Sequence, residues 1–209
     1  MRLIDKIIWL GHASFKIKGD SKTIYIDPWK IASPSADADI ILVGHSHYDH
    51  LSIPDVEKIS KPTTVLVAPE DCANQLQGEV NIVKPGDVLN FEDVIVEAVP
   101  AYNPDKAFHP RANNWVGFIV TVDGERLYYA SDTDIIPEMA EVRDIQVSLL
   151  PVGGTYTMGP KEAAQAAETI KPEIAVPYHY GDIVGSEEDA RSFSTFFSGK
   201  TKILKPQKG

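Results

Sequence analysis

The chain has 209 residues, of which 43% are hydrophobic and 24% are charged, and these values are ordinary for a globular domain with a substantial core. Its net charge of −10 argues against nonspecific binding to nucleic acid or to an anionic membrane. The one cysteine, Cys72, excludes an intrachain disulfide and a metal site built from several thiolates. No signal-peptide pattern opens the chain, and no stretch approaches the roughly 20 apolar residues of a membrane helix, so we expect a cytoplasmic protein.

Short apolar runs that are typical of strands dominate the first half of the chain. A Gly-Asp turn at 19–20 joins the second run to the third and indicates a meander. Two further strands are expected to be buried, with one short helix between them and another after them. The predicted strands are 6–10, 14–18, 23–27, 40–43 and 64–67, and the predicted helices are 54–59 and 69–76.

Strands and helices alternate toward the end of the chain. An Asp-Gly turn at 123–124 predicts a hairpin between two of the strands. Many strands with a few interspersed helices predict two sheets packed face to face with helices outside, in one domain over residues 1–209. The predicted strands are 81–83, 94–99, 115–122, 126–130, 145–150, 174–176 and 201–204, and the predicted helices are 161–170 and 187–197.

The run His-Ser-His-Tyr-Asp-His at 45–50 is the strongest functional motif, and it contains half of the six histidines. It follows the buried strand 40–43, so it lies on a loop at a strand's carboxyl end, where α/β sheets commonly place their sites. Imidazole and carboxylate groups suit zinc, manganese or iron rather than calcium. Four potential ligands so close in sequence are too many for one ion, which indicates two adjacent metals. The alternative, a polar surface loop, is disfavoured because clustered imidazoliums repel unless a cation fixes their neutral forms.

Two metals would need more ligands from later in the chain. Asp132 and His179 each directly follow a strand-like run, as His45 does. His12 and His109 are the other histidines outside the 45–50 motif.

Taken together, these motifs resemble those of the metallo-β-lactamase-fold hydrolases. The resemblance rests on HSHYDH after a strand, a later single histidine, an aspartate after RLYYA and a histidine in PYHYG, and it extends from Trp9 to Gly181. The motifs GHASF, IDPW, GGTYTM and PYHYG are also similar to the compact branch that includes ascorbate-phosphate lactonases. The resemblance implies an α+β fold, a four-layer αββα sandwich of two mixed sheets with helices outside.

The resemblance also implies a ligand set for two divalent metal ions, with zinc expected and manganese or iron as alternatives. The implied ligands of the first ion are His45, His47 and His109; those of the second are Asp49, His50 and His179; and Asp132 is the implied bridge. Asp49 and Asp132 are the candidate catalytic residues, as acceptors of a proton during attack by a metal-bound hydroxide. Because a metal-bound carboxylate is a poor base, the metals are expected to supply most of the activation.

Several of these residues have other interpretations. His109 is alternatively a loop histidine that closes over a pocket, Asp132 a turn residue or helix cap, and His179 a packed histidine. Asp27 either orients a ligand histidine or makes an Asp-Pro turn. His12 either reaches the substrate or ties down its glycine loop.

The candidate substrate-binding residues are His12, Tyr156 and Thr157, the last two because they lie in a glycine-rich loop after a strand. The predicted function is hydrolysis of a small ester, lactone or phosphoester by a metal-bound hydroxide at a dinuclear site. The alternatives are a di-metal redox protein and a non-enzymatic metal-binding protein. The acidic balance disfavours a nuclease. We therefore expect a small-molecule substrate and neither a nucleic-acid nor a membrane partner, with the oligomeric state left open.

Overall fold

Two six-stranded sheets form the centre of the computed structural model, which describes residues 2–207. In the first sheet, β1 to β3 pair antiparallel, and β3 to β6 pair parallel. The strands lie in the order of the sequence: β1 (Ile7–Gly11), β2 (Ser14–Lys18), β3 (Thr23–Ile26), β4 (Ile40–Leu42), β5 (Val65–Ala68) and β6 (Val80–Ile82).

The second sheet repeats this plan, with an antiparallel meander from β7 to β10 followed by parallel pairing from β10 to β12. Both sheets are therefore mixed, as predicted. The strands are β7 (Val88–Phe91), β8 (Val94–Pro100), β9 (Val116–Val122), β10 (Glu125–Tyr129), β11 (Val147–Pro151) and β12 (Ile174–Tyr178).

The helices lie on the outer faces of the sheets and complete the predicted four layers. Helices α2 (Ile53–Ile59) and α3 (Glu70–Ala73) lie beside the first sheet, and α4 (Pro160–Ile170) and α5 (Glu187–Phe196) pack on β11 and β12 of the second. One helical turn, α1 (Leu3–Lys6), precedes β1. Short 3-10 turns occur at Arg111–Asn113 and Pro137–Glu141. Among residues 2–207, the structure contains no helix with the length and apolar character of a membrane span.

Strand β4 shows why this fold follows from the sequence. Ile40 and Leu42 point into the core between the sheets, whereas Ile41 and Val43 pack under α2. A strand with both faces buried must be apolar along its whole length, which explains the unbroken run before the histidine motif.

The structure differs from the predicted elements in four places. The predicted strand 201–204 is reduced to one parallel bridge between Thr201 and Ala175, after which the chain crosses β1, where the Gln207 N–H donates to the Trp9 carbonyl. The predicted helix 69–76 ends at Ala73. Neither α1 nor β7 was predicted; β7 is a short edge strand whose residues alternate between exposed and half-buried.

The carboxyl ends of nine strands face one edge of the sandwich. In the first sheet β1 and β3 to β6 run in the same direction, and so do β8, β10, β11 and β12 in the second. The two sets of strand ends meet, since the His179 N–H donates to the His12 carbonyl at 3.2 Å. Loops leaving both sheets therefore converge at this edge.

Candidate metal centre

Asp132 lies at the centre of the converging loops. Its Oδ1 is 3.3 Å from His50 Nε2, and its Oδ2 is 3.3 Å from His109 Nε2 and 3.1 Å from His179 Nε2. Burial opposes the charge on this carboxylate, but His179 and His50 outweigh that effect and hold the pKa of Asp132 well below its usual range. One buried anion thus links histidines from three separate loops.

His45, His47 and His109 form one group of potential ligands, which we call the first cluster. One nitrogen from each lies within 4.8 Å of the others, and His45 Nε2 is 3.2 Å from His47 Nδ1. Burial and the neighbouring histidines lower the pKa of His47 and hold that of His45 well below its usual value. Both rings are therefore neutral at pH 7, which leaves lone pairs for a cation.

His12, Asp49, His50 and His179 form a second group, which we call the second cluster, and all four residues are buried. His12 Nε2 is 2.9 Å from Asp49 Oδ2, and the ring of His12 lies 4.0 Å from that of His179. The sequence placed His12 with the substrate, whereas the structure places it among the potential ligands. Its contact with substrate stays a prediction.

Asp27 supports the second cluster from behind. Its side chain is fully buried and accepts hydrogen bonds from His50 Nδ1 at 2.6 Å, the Gly44 N–H at 2.7 Å and the Tyr129 hydroxyl at 2.5 Å. Burial alone would lower the pKa of His50, but Asp132 and Asp27 together raise it well above its usual range. Asp27 therefore directs Nε2 of His50 toward Asp132, the arrangement expected of a carboxylate that orients a metal-ligating histidine.

Left-handed backbone conformations occur at four of the strand ends on this edge. Four residues that follow strand ends have positive φ angles, which non-glycine residues adopt only where the surrounding structure compels it. They are His12 (47°), Asp27 (45°), Ser131 (59°) and His179 (65°). Such residues cost of order 1–3 kcal/mol each when strained, and they cluster at functional sites.

Gly44 allows the loop that carries the histidine motif to pass close to the second sheet. A Cβ at this position would lie 2.5 Å from Ser131 Oγ and 2.8 Å from the Val116 carbonyl oxygen. Ser131 Oγ in turn lies 3.4 Å from His45 Nδ1. A side chain at position 44 would push His45 away from Ser131.

The side-chain nitrogen and oxygen atoms of the site are suitable ligands for divalent metal ions. Within residues 2–207, four buried atoms that face one another make no hydrogen bond: Nε2 of His50, His109 and His179, and Oδ1 of Asp132. A buried polar atom without a hydrogen-bond partner costs about 1–3 kcal/mol. Imidazole and carboxylate are the ligands that zinc, manganese and iron take in proteins, so such an ion would satisfy these atoms together.

Aromatic side chains surround both clusters. The ring of Trp115, which lies at the start of the predicted strand 115–122, is 5.0 Å from that of His45 and 4.9 Å from that of His47. The ring of Trp29 lies 5.3 Å from that of His12 and 6.1 Å from that of Tyr48. Neither tryptophan was predicted at the site, because both positions are set by packing between loops.

The predicted pocket residues lie near His109. Tyr156 is half-buried, and its ring meets Phe108 edge-on at 4.8 Å. Thr157 is buried, and its carbonyl accepts a hydrogen bond from Lys106 Nζ at 2.7 Å. Their contact with substrate stays a prediction.

A groove of about 1170 Å³ adjoins the second cluster at His12. Its aromatic walls come from Trp9, Trp29 and Tyr180, and the segment 203–206 closes one side. The groove also carries charged residues, namely Lys30, Asp182, Glu187, Arg191 and Lys205.

Comparison with known proteins assigns the family. A family model described as a beta-lactamase superfamily domain matches residues 6–179. A UPF0173 metal-dependent hydrolase from Methanopyrus kandleri is 35% identical over 207 residues, which cover 90% of this chain and 89% of the relative. A solved structure from Parabacteroides distasonis, described as a metal-dependent hydrolase, is 35% identical with a TM-score of 0.83 and covers 96% of this chain and 93% of that chain. The protein therefore belongs to the metallo-β-lactamase superfamily of metal-dependent hydrolases.

The fold also occurs in an enzyme of another class. CmlA, a diiron β-hydroxylase from Streptomyces venezuelae, is 14% identical with a TM-score of 0.74, over 95% of this chain and 52% of that chain. This likeness concerns the fold alone. None of these three relatives is named an ascorbate-phosphate lactonase, so that branch stays a prediction.

Proposed function

We propose that this protein hydrolyses a small ester, lactone or phosphoester at a site that holds two divalent metal ions, with zinc as the expected metal. The observation that carries the proposal is the position of Asp132. Its carboxylate contacts His109 of the first cluster and both His50 and His179 of the second. A carboxylate shared in this way is suited to joining two ions in one site.

The proposed ligands follow the two clusters: His45, His47 and His109 for one ion, Asp49, His50 and His179 for the other, and Asp132 for both. Divalent ions in such a site polarise a carbonyl or phosphoryl oxygen and lower the pKa of bound water from 15.7 toward about 7. Asp49 and Asp132 are the carboxylates that face the reacting groups. Their main task is to hold the site together, with Asp49 kept in place by His12.

The groove beside His12 is the proposed site for the organic part of the substrate. Its volume of about 1170 Å³ exceeds what a small molecule needs. Trp29 connects the groove to the metal centre, since its ring contacts both His12 and Tyr48. Apolar walls with a few charged groups suit a small organic substrate that carries one polar function.

Chelation tests the proposal. Metal-free protein should fail to hydrolyse a panel of lactones, esters and phosphodiesters, and added zinc, manganese or iron should restore activity toward one class. The control variants are Ser46→Ala and Cys72→Ala. Ser46 is the hydroxyl within the histidine motif, and Cys72, in α3, is the single cysteine of the chain. Burial raises the pKa of the Cys72 thiol, which makes it a poor nucleophile. Activity that survives chelation but is lost in Ser46→Ala would refute the proposal.

A di-metal redox reaction is the second candidate, because the fold of this chain is shared with a diiron β-hydroxylase. The two candidates separate when iron-loaded and zinc-loaded protein are compared. Hydrolysis proceeds with zinc and without oxygen, whereas the redox reaction needs iron and consumes oxygen. Oxygen consumption by the iron form, with no hydrolysis by the zinc form, would favour the redox candidate.

A further inference from the structure

We infer that Asn103 fixes the tautomer and orientation of the His109 ring and so acts as a positioning residue for the first cluster. The inference deepens the proposed function, because it rests on His109 as a metal ligand. His45 and His179 sit one to three residues beyond strand ends, whereas His109 lies nine residues after β8 ends at Pro100. Something other than a strand must hold His109 in place.

The Asn103–His109 contact closes a short loop. Asn103 and His109 are buried, whereas four of the five residues between them are exposed and Lys106 is half-buried. The Asn103 N–H donates to the His109 carbonyl at 2.8 Å, and the His109 N–H donates to Asn103 Oδ1 at 3.0 Å. The position of His109 thus depends directly on Asn103.

Two backbone groups define the orientation of the Asn103 amide. Its Oδ1 accepts from the His109 N–H, and its Nδ2 donates to the Tyr156 carbonyl at 3.1 Å. Reversing the amide would place Nδ2 against an N–H and Oδ1 against a carbonyl oxygen, and both contacts would be repulsive. The assignment of oxygen and nitrogen therefore follows from partners whose roles are fixed.

The tautomer of His109 follows from this orientation. His109 Nδ1 lies 2.8 Å from the same Oδ1, which can only accept, so Nδ1 carries the hydrogen. A neutral imidazole has one N–H, which leaves a lone pair on Nε2. That atom is buried, makes no hydrogen bond and lies 3.3 Å from Asp132 Oδ2. Asn103 thereby presents the lone pair of His109 to the metal position.

Lys106 supplies a matched control, because it anchors the same loop without touching His109. Its Nζ donates to Asp134 Oδ1 at 2.5 Å and to the Thr157 carbonyl at 2.7 Å. Lys106→Met should loosen the tip of the loop and leave the ring contact intact. Asn103→Asp keeps an acceptor for Nδ1–H but loses the donor to Tyr156, whereas Asn103→Ala loses both.

The test combines a tautomer measurement with metal affinity. Long-range ¹H–¹⁵N NMR of the metal-free protein at pH 8 should show His109 protonated at Nδ1, with its signals identified by their loss in His109→Gln. Competition with a chromophoric chelator should show that Asn103→Ala weakens one of two zinc-binding steps by about 10–100-fold, the usual cost of losing a group that orients a ligand. Lys106→Met should keep the Nδ1–H tautomer and the wild-type zinc affinity, and Asn103→Asp should keep the tautomer and bind zinc at least as tightly as the wild type, because a carboxylate makes the histidine that it orients a more basic ligand.

Three results would overturn the inference: wild-type His109 protonated at Nε2 alone, Asn103→Ala with unchanged zinc affinity, or equal losses in Asn103→Ala and Asn103→Asp. Equal losses would assign the effect to the Tyr156 contact. Thermal unfolding of each metal-free variant shows whether a loss of affinity reflects a loss of folding. Failure of the proposed function looks different, because wild-type protein would then bind no zinc while the tautomer of His109 could still be measured.

Discussion

The two clusters of the metal centre are supported by groups of different charge. In the second cluster, His50 is held by the buried carboxylate of Asp27, and Asp49 belongs to the cluster itself. In the first cluster, His109 is held by the neutral amide of Asn103, and His47 is half-buried rather than buried. A carboxylate behind a histidine makes it a more basic ligand. The second cluster should therefore bind its metal more tightly, and the first cluster should exchange its metal more readily.

The largest loss of zinc affinity and of activity is expected from a substitution at Asp132, where the two clusters meet. Asp132→Asn should impair both zinc-binding steps, because this carboxylate contacts histidines of both clusters. Losing a group that only orients a ligand costs about 10–100-fold, so losing the shared carboxylate should lower kcat/KM by more than that. The matched control is Asp134→Asn, which removes a nearby carboxylate whose partner is Lys106. Loss of only one zinc step in Asp132→Asn would contradict the shared role.

The support from Asp27 distinguishes the clusters. Asp27→Asn should weaken the tighter zinc step by about 10–100-fold and leave the weaker step unchanged, as measured by chelator competition. Tyr129→Phe is the control, since it removes one hydrogen bond to Asp27 and leaves the contact with His50. That variant should lose about 1–3 kcal/mol of stability with little change in zinc affinity. If both zinc steps weakened equally in Asp27→Asn, the clusters would not be independently supported.

The two clusters should also differ in the number of protons that they release when zinc binds. The pKa of His50 lies well above its usual value of 6.5, so metal-free protein carries a proton there at pH 7 that is lost on binding zinc. His45 and His47, with lowered pKa values, are already neutral. The affinity of the second cluster should rise with pH through neutrality, whereas His45 and His47 should release no proton on binding zinc above about pH 6.5.

Calorimetry in buffers of different ionisation enthalpy measures this release. The tighter zinc step should release more protons than the weaker one, and the reverse order would contradict the account.

The raised pKa of His50 also makes the stability of the metal-free fold depend on pH. Protonated His50 stabilises it below about pH 6.5, and this contribution is lost as the pH rises through the folded-state pKa.

The smallest effect is expected in the groove. Trp29→Ala should raise KM by about twofold to tenfold, since an aromatic contact is worth about 0.5–1.5 kcal/mol. Zinc affinity at both clusters should stay unchanged, and Trp29→Phe should recover most of the loss. An unchanged KM for the substrate class identified by the panel would place the substrate outside the groove.

Local sequence was sufficient for the parts of the site that follow a strand directly. The apolar run of β4 locates His45, and short buried strands likewise precede Asp132 and His179. The two-sheet architecture followed from the same runs and from their turns. These features depend on residues close together in the chain, which is why their pattern is visible in the sequence.

Features that depend on contacts between distant segments were harder to predict from the sequence. His12 joins the second cluster because β1 and β12 end side by side, and the sequence gives no sign of that neighbourhood. The support of His109 by Asn103 requires a loop to close on itself, and Trp115 meets the histidines across the edge of the sandwich. The predicted strand 201–204 is wrong because the tail makes one bridge to β12 and then crosses β1.

Stepwise zinc titration of metal-free protein, in the wild type and in Asp27→Asn, tests the central claim most directly. The account predicts two zinc ions per chain bound in two resolved steps, of which only the tighter is weakened in Asp27→Asn. A single zinc per chain, or a variant in which the weaker step is the one lost, would contradict it.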